Sequence, residues 1–162
     1  MSLRDTFPVH RGVSAGQVNL HLNLSGKNLF WLMPLGRREL EGRLRAMLET
    51  AYSGEVELDL LLVRDGEMAV CNKTYMNCPG PTNILSFPLE EPPSDSDPIA
   101  RLGSLVLSVD VLRREARLYG QNPEEHCLRL LAHGLGHLSG FDHGPEMDAF
   151  CAAMEAASRS AQ

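Results

Sequence analysis

The chain has 162 residues, of which 43% are hydrophobic and 22% charged, and its formal net charge is −6. This length and composition are typical of one globular domain with a core of its own. The negative charge argues against a protein that coats nucleic acid. No apolar run reaches the roughly 18 residues that a membrane-spanning helix needs.

The chain is expected to divide into three parts. Residues 1–17 form an N-terminal arm, because their Pro and Gly residues follow no periodicity and no apolar secretory core is present. The domain itself covers 18–158, and 159–162 form a C-terminal tail. Without a secretory signal, the expected location is the cytoplasm.

Four cysteines are scattered without a C-x-x-C pair, which favours reduced thiols. Cys71 and Cys78 leave one alternative open, a half-site for a metal, although their separation is uncommon for such a site.

The first half of the chain predicts two strands and two helices. Alternating apolar and polar residues indicate a strand over 18–24. Pro34 is expected to open a helix that Gly54 stops, since apolar residues between them recur at helical spacing. A second strand follows at 55–63, and Asp65 is expected to cap a short helix after it.

The next segment predicts two strands, 82–87 and 103–109, separated by an acidic, proline-rich loop. A helix then runs from Asp110 to about Tyr119. This order continues the alternation of strands and helices.

Two helices complete the chain. Asn122, Pro123 and Glu125 are typical of a capped helix start, and Gly140 is the expected stop. A last helix covers about 145–158. The complete order indicates an α+β domain, with a small mixed sheet of about four strands and about five flanking helices.

Two arginine clusters have two possible roles, solvated helix faces or phosphate-binding surfaces. Both clusters lie on predicted helices: Arg37, Arg38, Arg43 and Arg45 on one, and Arg113, Arg114 and Arg117 on another.

The stretch "HGLGHLSGFDH" predicts a metal site. His133 and His137 are four residues apart and share a helix face, and Gly140 lets the chain reverse so that His143 reaches the same ion. Three imidazoles leave one position for water, which is typical of catalytic zinc. The other histidines, His10, His21 and His126, are expected to be surface or strand residues.

The same spacing fits the zinc protease signature H-E-x-x-H-x-x-G-x-x-H. The glutamate of that signature is the general base, and here its position is Gly134. Glycine cannot take a proton, so peptide hydrolysis by this route is disfavoured.

Three blocks together resemble the YbeY family of metal-dependent endoribonucleases. The histidine stretch is similar to the family's H-G-x-L-H-L-x-G-Y-D-H box. Residues 72–88, "NKTYMNCPGPTNILSFP", resemble N-x-x-Y-R followed by P-T-[DN]-V-L-S-F-P, and 102–108 resemble L-G-D-I-x-I-S. The blocks keep their order and spacing from about 18 to 155.

The resemblance implies a mixed sheet with helices, a metal in a cleft and single-stranded RNA as substrate, in the cytoplasm and at the ribosome. It implies that His133, His137 and His143 bind one Zn²⁺ per chain. Ribosome-associated proteins are expected partners, whereas DNA and membranes are not.

The departures from the family pattern lie near the expected site. Met76 replaces the arginine after Tyr75, and methionine cannot bind phosphate. Lys73 is a candidate substitute, although its charge is less directional than that of arginine. Other departures, which leave the three histidines intact, are Ser104 for aspartate, Gly136 for leucine and Phe141 for tyrosine.

Further candidates carry two interpretations each. Asp142 either orients a ligand imidazole or only stabilises its own turn. Thr82, Asn83 and Ser86 either border the cleft or make structural hydrogen bonds at a strand end, the latter being preferred. Leu85 and Phe87 are expected to be core residues.

The sequence thus supports two functional hypotheses. The first is a zinc-dependent endoribonuclease in ribosomal RNA maturation or ribosome quality control, whose catalytic residues are the three histidines acting through the metal, with Asp142 and Lys73 as weaker candidates. The second is a ribosome-associated factor that binds RNA or protein, with a mainly structural zinc and weak or no catalysis because of Met76.

Overall fold

A computed structural model describes residues 16–90 and 96–161. Within them the chain forms one four-stranded sheet, five α-helices and one 3-10 helix. The strands are β1 (Val18–Ser25), β2 (Gly54–Val63), β3 (Ile84–Pro88) and β4 (Ala100–Ser108). The α-helices are α1 (Arg37–Glu49), α2 (Asp65–Met76), α3 (Val109–Leu118), α4 (Pro123–Leu138) and α5 (Pro145–Ser160), and the 3-10 helix is Lys27–Leu32.

The sheet is mixed, as the sequence predicts, with the strand order β1-β2-β4-β3. β1, β2 and β4 are parallel, and β3 pairs antiparallel with β4 at one edge. Parallel neighbours need a crossover connection, which the 3-10 helix and α1 provide between β1 and β2. The predicted α+β class is therefore confirmed.

The two faces of the sheet are covered unequally. The main core contains side chains such as Leu58, Leu60 and Leu62, against which the helices other than α2 pack. Neighbouring strand residues point to opposite faces, and Val63 accordingly joins a smaller cluster with Met68 of α2. α1, α3, α4 and α5 thus lie on one face and α2 on the other.

Part of the predicted arm, residues 1–15 with His10, lies outside the described residues, as do 91–95 of the acidic loop and residue 162 of the tail. No helix in the described segments is long and apolar enough to cross a membrane.

The prediction for the first helix was wrong at both ends. Pro34 lies between the unpredicted 3-10 helix and α1, which begins after Gly36 and ends at Glu49. The Thr50 hydroxyl donates to the Met47 carbonyl at 2.6 Å and closes the last turn. Gly54, at φ 80°, begins β2 instead of ending the helix.

Asp65 does not cap α2 as predicted, because it is the first residue of that helix and Arg64 is the N-cap. Its carboxylate instead accepts two hydrogen bonds from the Arg114 guanidinium, at 2.9 and 3.0 Å. The Asp65 side chain therefore joins α2 to α3 through an ion pair and does not cap its own helix.

Arg43 fits neither role expected for the arginine clusters, because it is buried. Its guanidinium donates to the Ser158 carbonyl at 2.6 Å and to Glu124 at 2.9 Å. A further hydrogen bond goes to Glu39 within α1. The side chain therefore joins α1 to α4 and α5.

We predict that Arg43→Met lowers the free energy of unfolding by about 3 kcal/mol, because the buried Ser158 carbonyl loses its charged donor. Urea denaturation measures this. Arg45→Met is the matched control, since Arg45 lies exposed on the same helix and its loss should cost at most about 0.5 kcal/mol. Equal losses in both variants would contradict a special role for Arg43.

Candidate metal centre

Helix α4 positions two of the three histidines. The Asn122 side chain accepts a hydrogen bond from the Glu125 backbone N–H at 3.1 Å, and Pro123 occupies the first turn, as predicted. The buried stripe of the helix fixes its rotation against the core, which leaves His133 and His137 half-buried at its side. The stripe includes Cys127, Leu131, Leu135 and Leu138.

The turn after α4 brings back the third histidine. Gly140 has φ 91° and donates from its N–H to the His137 carbonyl at 3.0 Å. Phe141 donates to the Gly136 carbonyl at 3.1 Å, and its ring packs on Phe150 with centroids 4.6 Å apart. The turn is thus held by the core, and His143 follows it.

The end of α4 is also tied, through Tyr52, to the segment between α1 and β2. Its hydroxyl shares a 2.7 Å hydrogen bond with the hydroxyl of Ser139, the C-cap residue. Burial raises the pKa of Tyr52 to about 12, so this contact keeps its proton in neutral solution.

The three histidines form one cluster. One potential ligand atom from each of His133, His137 and His143 lies within 4.8 Å of the other two. The Nε2 atoms of His133 and His137 are 3.2 Å apart. These distances allow a single small ion to contact all three rings.

The donor set fits a divalent transition metal. Burial, and then the neighbouring His137 and His143, lower the pKa of His133. A lowered pKa favours the neutral imidazole, which is the form that binds metal. Three imidazoles with an exposed third member leave room for a further ligand, which distinguishes such a site from a closed structural one.

The cluster borders an open cavity of about 490 Å³ between α4, the following turn and β3. Met76, at the end of α2, contributes to its wall. Asp142 lies exposed at the same cavity, and within the described residues no hydrogen bond joins its carboxylate to a histidine. Other wall residues include Asn83, Ile84, Ser86 and Pro88.

Asn83 and Ser86 serve both roles that the sequence left open. They line the cavity, and both are hydrogen-bonded to the fold. The Asn83 side chain accepts from the Ile84 N–H at 2.7 Å and donates to the Glu115 carboxylate at 3.3 Å. The Ser86 hydroxyl donates to the Gly134 carbonyl at 3.3 Å. Thr82 is not among the residues that line this cavity.

Lys73 does not line the cavity either. Its ammonium donates to the Asn77 side-chain oxygen at 3.1 Å, at the exposed end of α2. The Ser104 hydroxyl on β4 donates a hydrogen bond to the Asp59 carboxylate on β2, at an exposed part of the sheet. The core assignments of Leu85 and Phe87 are confirmed in part: Leu85 is buried and Phe87 partly buried, with its ring against Tyr75.

One prediction about the remaining histidines was wrong. His126 is buried, and its Nε2 lies 2.8 Å from the Glu115 carboxylate, which also accepts from Asn83. Helix α3 thereby links the cavity wall to α4 through a contact that sequence reasoning missed. The one signal in the sequence for the burial of His126 was its position in the first turns of α4, a helix with a buried apolar stripe. His21 is exposed on β1 as expected.

Gly134 faces the sheet and not the cavity. A Cβ added there would lie 2.8 Å from a Leu105 methyl and 2.9 Å from the Ile84 Cδ1. In the protease signature this position carries the general base; here it is a point where α4 packs closely against the sheet. Gly136 similarly admits Met147 of α5, whose Cε would be 3.0 Å from an added Cβ.

The family model and the two relatives described below all carry the same description, endoribonuclease YbeY. A family model described as endoribonuclease YbeY matches residues 36–161. A protein named endoribonuclease YbeY from Nitratidesulfovibrio vulgaris is 47% identical over 134 residues, which cover 74% of this chain and 83% of the relative. The protein of the same name from Lawsonia intracellularis is 43% identical over 79% of this chain and 90% of its own length.

A solution structure from Thermotoga maritima has a similar fold. Its TM-score is 0.55 at 20% sequence identity, covering 86% of this chain and 90% of the other. At this identity the likeness concerns the fold alone.

We predict that Gly134→Glu lowers the free energy of unfolding by about 4 kcal/mol or more, because a carboxylate would be forced between α4 and the sheet. Thermal or urea unfolding measures the loss. Gly66→Glu is the control, since an added Cβ meets nothing within 4 Å there and the first turn of a helix favours a negative charge. A stable, well-folded Gly134→Glu protein would contradict the packing described here.

Proposed function

The chain belongs to the YbeY family of endoribonucleases, and from this membership we propose that it is a zinc-dependent hydrolase that cleaves single-stranded RNA during ribosomal RNA maturation. The family membership makes it a hydrolase of the endoribonuclease class and implies RNA as the substrate. We propose that it acts in the cytoplasm and at the ribosome, and we assign the activity to the domain 18–158, with 1–17 as an arm. The expected tail 159–162 overlaps the end of α5, which reaches Ser160.

The observation that carries the proposal is the histidine cluster. His133, His137 and His143 bring their ligand atoms within 4.8 Å of one another, and three imidazoles suit Zn²⁺. When bound, such an ion supplies a Lewis acid for a phosphoryl oxygen and lowers the pKa of a coordinated water.

The residues around the cluster provide binding and orientation. The cavity wall offers the Asn83 amide and the Ser86 hydroxyl, both held by the fold. Their fixed positions limit how an RNA backbone can lie beside the histidines. Asp142 is exposed at the cavity mouth, where we propose that it orients a ligand ring or an incoming group.

Met76 reduces the charge complementarity of the cavity for RNA. It is 46% exposed and lies at the wall, where an arginine would hold phosphate with two hydrogen bonds. Lys73 is the weaker candidate for that role, because it would have to release Asn77 first. This departure favours the second candidate function, a ribosome-associated factor that binds RNA or protein and cleaves weakly.

We predict that His137→Ala no longer binds zinc stoichiometrically and cleaves single-stranded RNA at least about 100-fold more slowly. Mutation of a residue that only hydrogen-bonds to a metal ligand already costs up to about 100-fold in metal affinity or activity, and His137 is itself a proposed ligand. Metal analysis and a cleavage assay on one oligoribonucleotide measure both effects. The control is His21→Ala, which removes an exposed histidine from β1. Equal cleavage by parent and His137→Ala protein would contradict a catalytic role for the histidines.

We predict that Met76→Arg raises cleavage about tenfold or more, because an arginine at the cavity wall can stabilise negative charge on the phosphoryl group. Val70→Arg adds the same charge at an exposed position of the same helix and is expected to change cleavage little. Zinc content should be equal in all three proteins. No gain from Met76→Arg, with zinc bound, would favour the binding factor over the enzyme.

A further inference from the structure

A second concave surface lies away from the histidines. It is a groove of about 430 Å³ between the segment that follows β1 and helix α3, which we name the Trp31 groove. Its lining includes Trp31, Met33, Pro34, Leu112, Arg113 and Arg117. The residues proposed for cleavage play no part in it.

The floor of the groove is apolar, and the exposed aromatic side chain of Trp31 forms one wall. Leu112 and Met33 are buried beneath it, whereas Trp31 is 75% exposed. A tryptophan with this much ring surface in water is unusual in a stable monomer, and tryptophan is enriched where a protein binds another protein. The groove thus offers both an apolar pocket and an aromatic anchor.

Two cations at the groove have no partner among the residues that the structure describes. Arg113 and Arg117 are one helical turn apart on α3 and therefore lie side by side. In the described part of the chain neither makes a hydrogen bond or an ion pair, whereas Arg114 between them is paired with Asp65. Among the described residues no carboxylate lines the groove. The two arginines therefore give it a local positive charge, on a protein whose net charge is −6.

The groove and the metal cavity lie on different sides of α3. Glu115 bonds to Asn83 at the cavity wall, and residues two apart on a helix do not share a face, so Arg113 points away from that wall. Along α4, Pro123 at the groove and His133 at the cluster are ten residues apart, or about 15 Å.

We propose that the Trp31 groove is the docking site for an acidic segment of a partner protein, with an apolar side chain on the floor and two carboxylates on Arg113 and Arg117. Arginine binds carboxylates through paired hydrogen bonds. The apolar floor favours a peptide over RNA, because the sugar-phosphate backbone of a nucleic acid gains little from contact with the buried side chains of Met33 and Leu112.

Trp31 is the one tryptophan of the chain, so its fluorescence reports on the groove directly. Random twelve-residue peptides displayed on phage are selected on the full chain, after depletion on the double variant Arg113→Glu/Arg117→Glu. The enriched peptides are then synthesised and titrated while Trp31 emission is recorded. A single-stranded oligouridylate of matched charge is titrated in parallel.

The expected result is a set of peptides with acidic and apolar residues that shift Trp31 emission to shorter wavelength and bind the double variant at least tenfold more weakly. Arg38→Glu/Arg45→Glu makes the same charge change at exposed positions of α1 and should leave binding unchanged. His137→Ala should also bind normally, so this result is independent of cleavage.

Three results would overturn the proposal. One is that no peptide is enriched over the double variant. Another is that the enriched peptides lack acidic residues, or bind both charge-reversal variants equally. The third is that only the oligouridylate shifts Trp31 emission, which would make the groove an RNA surface. Unchanged thermal unfolding of the double variant shows that any loss of binding is local.

Discussion

The close contact between α4 and the sheet determines where the site can form. Gly134 has no side chain, so the helix approaches β3 and β4 until the methyl groups of Leu105 and Ile84 occupy the space that a Cβ would take. This approach places His133 and His137 beside the edge strand β3, so that Ser86 of that strand and Asn83, which precedes it, become walls of the same cavity. A larger residue at 134 would separate the histidines from the strand that completes the site.

The third histidine depends on the core in a different way. Gly140 reverses the chain in a backbone conformation that other residues rarely adopt, and Phe141 inserts its ring beside Phe150. Tyr52 holds Ser139, the C-cap residue of α4, through a hydrogen bond between the two hydroxyls. The cluster is therefore preorganised by packing and hydrogen bonds, and metal binding need not pay the full cost of ordering this turn.

The residues of the site come from two separate parts of the fold, α4 with its following turn and α2, and the sequence of one can change without changing the other. The metal donors come from α4 and its turn, while the position of Met76 comes from α2 on the other face of the sheet. The family arginine can therefore be replaced without disturbing the histidines. Arg113 and Arg117, which have no partner among the described residues, lie on the far side of α3, so their charge is not available to the cavity.

The sequence alone determined the features that depend on neighbours along the chain. The spacing of the histidines, the Asn122 cap, the Gly140 turn and the strand and helix order all follow from local geometry, and the fold class was confirmed. Only the tertiary structure decided what depends on distant residues. It buried His126 against Glu115 and Arg43 against Ser158, paired Asp65 with Arg114, and placed Trp31 beside α3. These contacts join residues from different elements, and no local pattern specifies which side chains the packed helices will bring together.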